Sequence, residues 1–479
     1  MKRLILVLFL FVFALQLNAT TYYVATNGSD GNTGTISSCW LTLQKAANTA
    51  IPGDIIIFKD GTYYFTGATM ATITTSGNSG EYITYKAQNK GGAILDGSNN
   101  AATFCISISA SYINIEGFEI RNFSHDAIAT PLNSSNSYVN LRDLHIHNCG
   151  RICIPSSDQN YQVGVGGTYF RSMNHVIVER CIFHDLGRLS RAEGCSTTGT
   201  DLNFDHALYI ANCDNWVIQN NIFYNCQRGF GVQLYDGAGG VDSNFTIINN
   251  TFIDGNQSHP AGHLILWTNL SNILIANNIF DGQANYAIQL YQAEYTTSNV
   301  VIANNIEYGG NNQLIFYTTL QGTTLSNNHE STNPLFVNRS SKDLHLQSGS
   351  PAINAGYSVG LSTDYDQNAR SGVIDIGALE YVSGVTTYYN VSASGTATKN
   401  NCGTGYAGTT VTYTVAANMY SSTVSQIAAD NLATADVTAN KQTYANANGT
   451  CTQTNTNVHG VLVNKKNVPL VRNNRPFVR

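Results

Sequence analysis

Four copies of one nine-residue phrase constrain this chain more than anything else in it. Asn-Trp-Val-Ile-Gln-Asn-Asn-Ile-Phe begins at Asn215, and close variants begin at Asn244, Asn272 and Asn299. Inside each copy apolar residues alternate with others, the pattern of a strand with one buried face, and the asparagine pair marks a bend. Counted at the second asparagine, Asn221, Asn250, Asn278 and Asn305 lie 29, 28 and 27 residues apart. A period in this range predicts stacked units that share one continuous core.

The repeat extends backwards. One buried column reads Ile113, Val139, Val176, Trp216, Phe245, Ile273, Val300, and the strand after the bend gives Ile120, Ile146, Phe183, Phe223, Phe252, Phe280, Glu307. The bend column between them reads Phe118, Leu144, Cys181 and then the four asparagines, which are expected to hydrogen-bond from rung to rung. Two rungs carry roughly ten extra residues each, at about Pro155–Tyr169 and Leu189–Phe204. Insertions in a solenoid leave as loops on one face, often the binding face.

A formal net charge of −6 with 11% charged residues argues against a nucleic-acid partner, which wants a basic face. Asn, Thr, Ser, Gly and 27 tyrosines carry the polarity instead, a surface that suits sugars. The basic start Met1-Lys2-Arg3, the apolar run from Leu4 to Leu17 and the small Ala19 read as a secretory signal peptide over 1–19. The expected location is therefore secreted or cell-surface, with no membrane span left after cleavage. Ten cysteines in an exported chain can form disulfides.

The expected order is a β-solenoid over 20–381, opened by a capping helix at Leu41–Ile51, then a linker at 382–387. A small α+β module follows at 388–455, with an alanine-rich helix at Val424–Ala447 and a disulfide between its two cysteines, Cys402 and Cys451. A flexible basic tail closes the chain at 456–479.

The opening residues Tyr22-Tyr-Val-Ala-Thr-Asn-Gly-Ser-Asp, Pro52-Gly-Asp-Ile-Ile, Asp60-Gly-Thr-Tyr-Tyr and Ile94-Leu-Asp-Gly-Ser resemble the start of the β-helical pectate, alginate and chondroitin lyases. The stretch from Asn333 to Tyr381, with Leu344-His-Leu-Gln-Ser-Gly-Ser-Pro-Ala-Ile-Asn-Ala-Gly, resembles the closing segment of secreted bacterial choice-of-anchor β-helix proteins. The terminal module resembles small domains of unknown function found in large secreted bacterial proteins. These resemblances imply an all-β, right-handed parallel β-helix of the pectin-lyase type. They imply polysaccharide as the partner more weakly, since a fold hosts many functions.

Just beyond the buried strands runs a second column, His125, Arg151, Arg188, Arg228, preceded on the rungs by His147, His184 and Tyr224. Cations stacked ~4.8 Å apart repel unless an anion lies between them, and a uronic-acid polysaccharide carries one carboxylate per sugar. The expected eliminative site has His206 or Tyr209 as base, with Arg188 and Arg228 holding the substrate carboxylate. Arg151, His147, His184 and Asp205 are the expected binding residues. The same arginines could instead pair with Asp143, Asp185 and Glu193 and only stitch the long rungs together. No lysine occurs between Lys90 and Lys342, so the lysine base of the resembled lyases does not carry over. Nor is there a tight aspartate cluster of the pectate-lyase calcium kind, which leaves any metal, Ca2+ included, open. Two readings therefore stand: a lyase acting on an acidic polysaccharide, and a non-catalytic glycan-binding or adhesin-like solenoid at the cell surface.

Overall fold

The computed structural model describes residues 19–131, 135–153, 164–190, 193–195, 203–236, 240–257, 259, 261–290, 295–311, 313–316, 321–384, 388–422, 426–454, 471–472 and 475–476. The signal segment, most of the two insertions and most of the tail lie outside them. The chain forms two compact units, one ending at Tyr381 and the other made of Val382 onward together with Val337–Leu344. The second unit thus recruits a short stretch that the sequence reading left inside the solenoid.

Each complete rung of the first unit contributes one strand to each of three sheets, and the end rungs add strands to the first sheet alone. The first sheet has 11 strands, running in chain order from Thr21–Val24 to Thr323–Ser326. The second and third have 9 strands each, Gly61–Tyr64 to Ile306–Tyr308 and Thr69–Ile73 to Ile315–Phe316. All pairings within them are parallel, and the expected columns are in register: Ile113 with Val139, Val176, Trp216, Phe245, Ile273 and Val300. Like residues stack on like because a parallel ladder repeats the same inward position at every turn. One core follows, from Val24 to Ile315.

The two asparagines of each bend have different tasks. The first adopts a left-handed backbone, with φ of 53° at Asn220 and 52° at Asn249, a conformation asparagine tolerates better than bulky residues. The second is fully buried and builds a ladder. Asn250 Oδ1 accepts from the Asn221 backbone N–H at 2.9 Å and from Asn221 Nδ2 at 3.0 Å. Asn250 Nδ2 in turn donates to Ile218 O at 2.9 Å and to Asn278 Oδ1 at 3.0 Å. The outward side chains of the first asparagines hold the closing segment. Asn220, Asn249, Asn277 and Asn304 donate to the carbonyls of Thr363, Asp375, Tyr357 and Ala355 at 2.8–2.9 Å. That segment is therefore a strap laid along the bend corner.

The cap helix spans Leu43–Thr49, two residues shorter at each end than expected, with the Thr42 side chain accepting the Lys45 N–H. Gln44 pairs with the backbone of Thr72 (2.8 and 3.2 Å), occupying groups of the terminal strand of the third sheet. The first insertion ends earlier than expected, because Thr168–Arg171 already forms a strand of the third sheet.

In the second unit the antiparallel pair Ala393–Thr398 and Thr410–Val415 packs against the helix Gln426–Asn448 through Val415, Ala433 and Val437. Cys402 and Cys451 are bonded, as expected. No helix among the described residues is long and apolar enough to cross a membrane.

Candidate active site

Along the third sheet Phe170, Ile210, Leu234 and Leu266 face the core, so their neighbours face out. Tyr169 and Tyr209 are in register and stack with ring centroids 5.0 Å apart and planes at 6°. Two residues further on, Tyr235 aligns with Trp267, and their rings meet edge to face at 5.8 Å. These aromatic faces floor a cleft of ≈ 370 Å³ whose wall includes Asp126, Gly164, Phe204 and His206. Gly164 and Phe204 stand at the ends of the two insertions, so the broken rhythm and the cleft coincide. At the opposite ends of the insertions Cys153 is bonded to Cys195, and Arg151 pairs with Glu193.

Of the expected site residues, His206 and Tyr209 line this cleft. Neither is built as a base. The His206 ring is buried, and its Nδ1 accepts the Phe230 backbone N–H at 3.1 Å, which occupies its lone pair. Burial, with the Arg188 and His259 charges behind it, lowers its pKa to about 3, so the ring stays neutral. Burial also raises the Tyr209 phenol, with Tyr169 adding to the effect, so Tyr209 holds its proton and can only give it. Its hydroxyl makes no hydrogen bond with the described residues.

Arg188 and Asp205 are corrected most. Both side chains have 0% exposure, and the guanidinium meets the carboxylate through Nη2–Oδ1 at 2.6 Å and Nε at 3.0 Å. Asp205 also accepts the Arg188 and Val165 N–H groups at 2.8 and 3.1 Å. The pair ties the Val165 and Arg188 backbones together and leaves no exposed atom for a ligand. Arg151 is committed to Glu193 and to Gly187 O, and Arg228 is half-buried outside the cleft lining. Arg151 thus has the Glu193 partner that the stitching alternative named, whereas Arg188 pairs with Asp205 rather than Asp143 or Asp185.

His147 and His184 lie on the outer face of the second sheet, in register and stacked at 4.8 Å, with Tyr224 continuing the stack at 4.3 Å. They do not line the cleft, because the column that contains them belongs to the sheet before the insertions and the cleft to the sheet after them. His145 joins them, its Nε2 lying 2.7 Å from His184 Nε2.

Sequence reasoning missed Asp126, Tyr169, Arg171, Tyr235 and Trp267. Arg171 is half-buried on the cleft side of the third sheet, close enough for its charge to act on the Tyr209 phenol, and forms no ion pair among the described residues. Asp126 Oδ1 accepts the Gly166 N–H at 3.0 Å and its Oδ2 holds His125 at 2.8 Å. Burial disfavours the charged His125 ring, yet the bond to Asp126 outweighs it and the pKa is raised. The alternate residues that follow each insertion, Tyr169 and Arg171 in one rung and Tyr209 in the next, were the available signal.

A calcium ion wants six or more oxygens, and the described residues of the cleft offer one carboxylate, Asp126, with both oxygens engaged. Ca2+ does not fit there. Nearby, Asp242 is fully buried, with Oδ1 accepting the Cys213 N–H at 3.1 Å and Oδ2 without a partner. Burial foremost, reinforced by Asp236 and Asp214 against that hydrogen bond, raises its pKa to about 8. The folded state thus holds a proton that the unfolded chain releases near pH ~4, so this contribution is full below that pH and disappears as pH rises through 8. Asp242→Asn should flatten the decline in melting temperature between about pH 5 and pH 8, as followed by circular dichroism.

Two family models cover the solenoid. One, a Pel9A-like right-handed beta helix region, matches residues 22–150, and the other, a right-handed beta helix region, matches 192–348. The solenoid is a right-handed parallel β-helix, and its first rungs are similar to the Pel9A-like region. A family of unknown function, DUF5977, matches residues 388–452 of the second unit. Pectate lyase L of Dickeya chrysanthemi is 25% identical over 307 residues, covering 55% of this chain and 69% of its own. The uncharacterised protein YwoF of Bacillus subtilis is 30% identical over 134 residues, 26% of this chain and 28% of its own. Among solved structures, pectate lyase Pel9A aligns over 76% of this β-helix protein and 96% of its own chain, at 15% identity and a TM-score of 0.46. A rhamnogalacturonan lyase aligns over 67% and 91%, at 14% identity and a TM-score of 0.39.

Proposed function

We propose that the β-helix recognises an acidic polysaccharide in the third-sheet cleft and cleaves it by β-elimination. The carrying observation is the aromatic floor, Tyr169, Tyr209, Tyr235 and Trp267, with a proton-holding phenol in it and the Arg171 guanidinium beside the lining on the same sheet face. Sugar rings pack their apolar faces on such side chains. Arg171 meets the uronate carboxylate and stabilises the negative charge that grows when the neighbouring carbon loses its proton. Asp126, the cleft's one carboxylate among the described residues, takes that proton on a lone pair left over from its bonds to Gly166 and His125, and Tyr209 gives its own to the departing glycosidic oxygen as the carbon–oxygen bond breaks. The pectate lyase L relatives support this reading by class. Two disulfides and the signal-like start support a secreted or cell-surface location.

The second reading, binding without cleavage, is favoured by the lysine-free stretch from 91 to 341 and by the occupied lone pair of His206. Incubation with pectate, alginate and glycosaminoglycans separates the two, read by the ultraviolet absorbance of an unsaturated sugar and by gel retardation. Under the lyase reading Tyr209→Phe lowers product formation roughly a hundredfold, the scale of a lost general acid, and leaves retardation intact. Retardation without product from the native chain would leave the binder.

A further inference from the structure

We propose that His145, His147 and His184 form a binding site for a Zn2+-type transition-metal ion on the outer face of the second sheet. Their strands, His145–His147 and Ile182–His184, are parallel neighbours with His147 opposite His184. Ile146 and Phe183 fill the core at 0% exposure, which turns all three imidazoles to the same outer face. One nitrogen from each ring lies within 4.8 Å of the others.

The second layer of contacts favours coordination over a simple aromatic stack. Asp185 Oδ2 holds His184 Nδ1 at 2.6 Å, which keeps the proton there and leaves the Nε2 lone pair facing the cluster. Two imidazole nitrogens 2.7 Å apart must share a proton or a metal ion between them. His147 Nδ1 is buried without a hydrogen-bond partner. Glu119 Oε1 lies 3.2 Å from His147 Nε2 and sets a negative charge at the edge of the cluster. Arg121, in register with His147, is neutralised by Asp96 and Glu119 at 2.8 and 2.7 Å. His147 and His184 are each 12% exposed, enclosed yet reachable.

Tetrahedral zinc with bonds near 2.05 Å separates its ligand atoms by about 3.4 Å. Moving the rings from their present spacing needs rotation about χ2, a torsion with a broad well. Imidazole donors select Zn2+, Cu2+, Ni2+ or Co2+ over Ca2+ and Mg2+. Both strands end shortly before the insertions begin, so a bound ion would hold together the two rungs from which the insertions leave. The site is separate from the cleft and independent of whether the cleft cleaves or only binds.

The test uses the full chain without an affinity tag, disulfides intact, stripped with chelator and dialysed. Calorimetric titration with ZnCl2 should give one Zn2+ per chain at micromolar affinity or tighter, with a raised melting temperature that CaCl2 does not reproduce. His184→Gln and the double variant His145→Gln/His184→Gln should each lose at least tenfold in zinc affinity and all of the zinc-induced stabilisation. His345→Gln, at an exposed histidine paired with Asp366, should lose neither. Circular dichroism of the metal-free variants establishes that they fold; if the double variant does not, His184→Gln alone decides. Absence of stoichiometric binding, or undiminished binding by His184→Gln, overturns the site.

Discussion

Arg188→Leu should lower the unfolding free energy of the β-helix by about 3–5 kcal/mol, the usual consequence of leaving one partner of a buried ion pair alone. The guanidinium and the Asp205 carboxylate are both at 0% exposure, so no solvent reaches the carboxylate when its cation is removed. Asp205 keeps the Val165 and Arg188 backbone N–H groups, which soften the loss without cancelling the charge. Replacing both, as Arg188→Leu/Asp205→Leu, should recover part of the loss, because a buried pair is often matched by apolar side chains of similar volume. Guanidinium unfolding followed by circular dichroism measures both variants. A loss below about 1 kcal/mol for the single change, the range of exposed pairs, would contradict the burial described here.

Asn250→Ala should cost about 4 kcal/mol, since several buried groups lose their partners together. The Asn221 backbone N–H and Nδ2 both lose their acceptor, and Ile218 O loses a donor. Each such orphan costs about 1–3 kcal/mol in a dry interior, and the empty side-chain volume adds to it. A control is Asn244→Gly, because that residue's backbone is left-handed (φ 59°) and glycine takes it without the strain an alanine would add. That residue also bonds rung to rung, to Asn215 at 3.1 Å, but from an exposed position where water can replace the lost contact. It should cost less than about 1 kcal/mol, and the difference between the two melts measures what burial adds to an otherwise similar ladder.

The contrast between fold and site in legibility has a physical origin. Ile218, Ile247, Ile275 and Ile302 are in register because every rung must fill the same inward volume, so the constraint recurs at each period and survives in one sequence. The buried asparagine ladder was legible for the same reason. Outward positions obey no such rule. In the third sheet Tyr169 and Tyr209 align, but the next rung places Gln233 there and moves its aromatic two residues on, to Tyr235. The arginine column was visible because it repeats, and what repeats in this chain is scaffold: Arg151 and Arg188 are both committed to protein acids. His206 was legible as a cleft residue, whereas the occupation of its lone pair by Phe230 depends on a backbone group 24 residues away.

The strap along the bend corner also bears on how such a protein can change over evolutionary time. Carbonyls of Ala355, Tyr357, Thr363 and Asp375 sit on consecutive asparagines, so lengthening that corner by even one residue would lift the strap from its neighbours as well. Among the described residues the corner between the second and third sheets carries no such passenger, and it already tolerates two rungs of unequal length. New ligand preferences can therefore arise by exchanging segments at that corner alone, with inheritance of the rest of the solenoid unchanged.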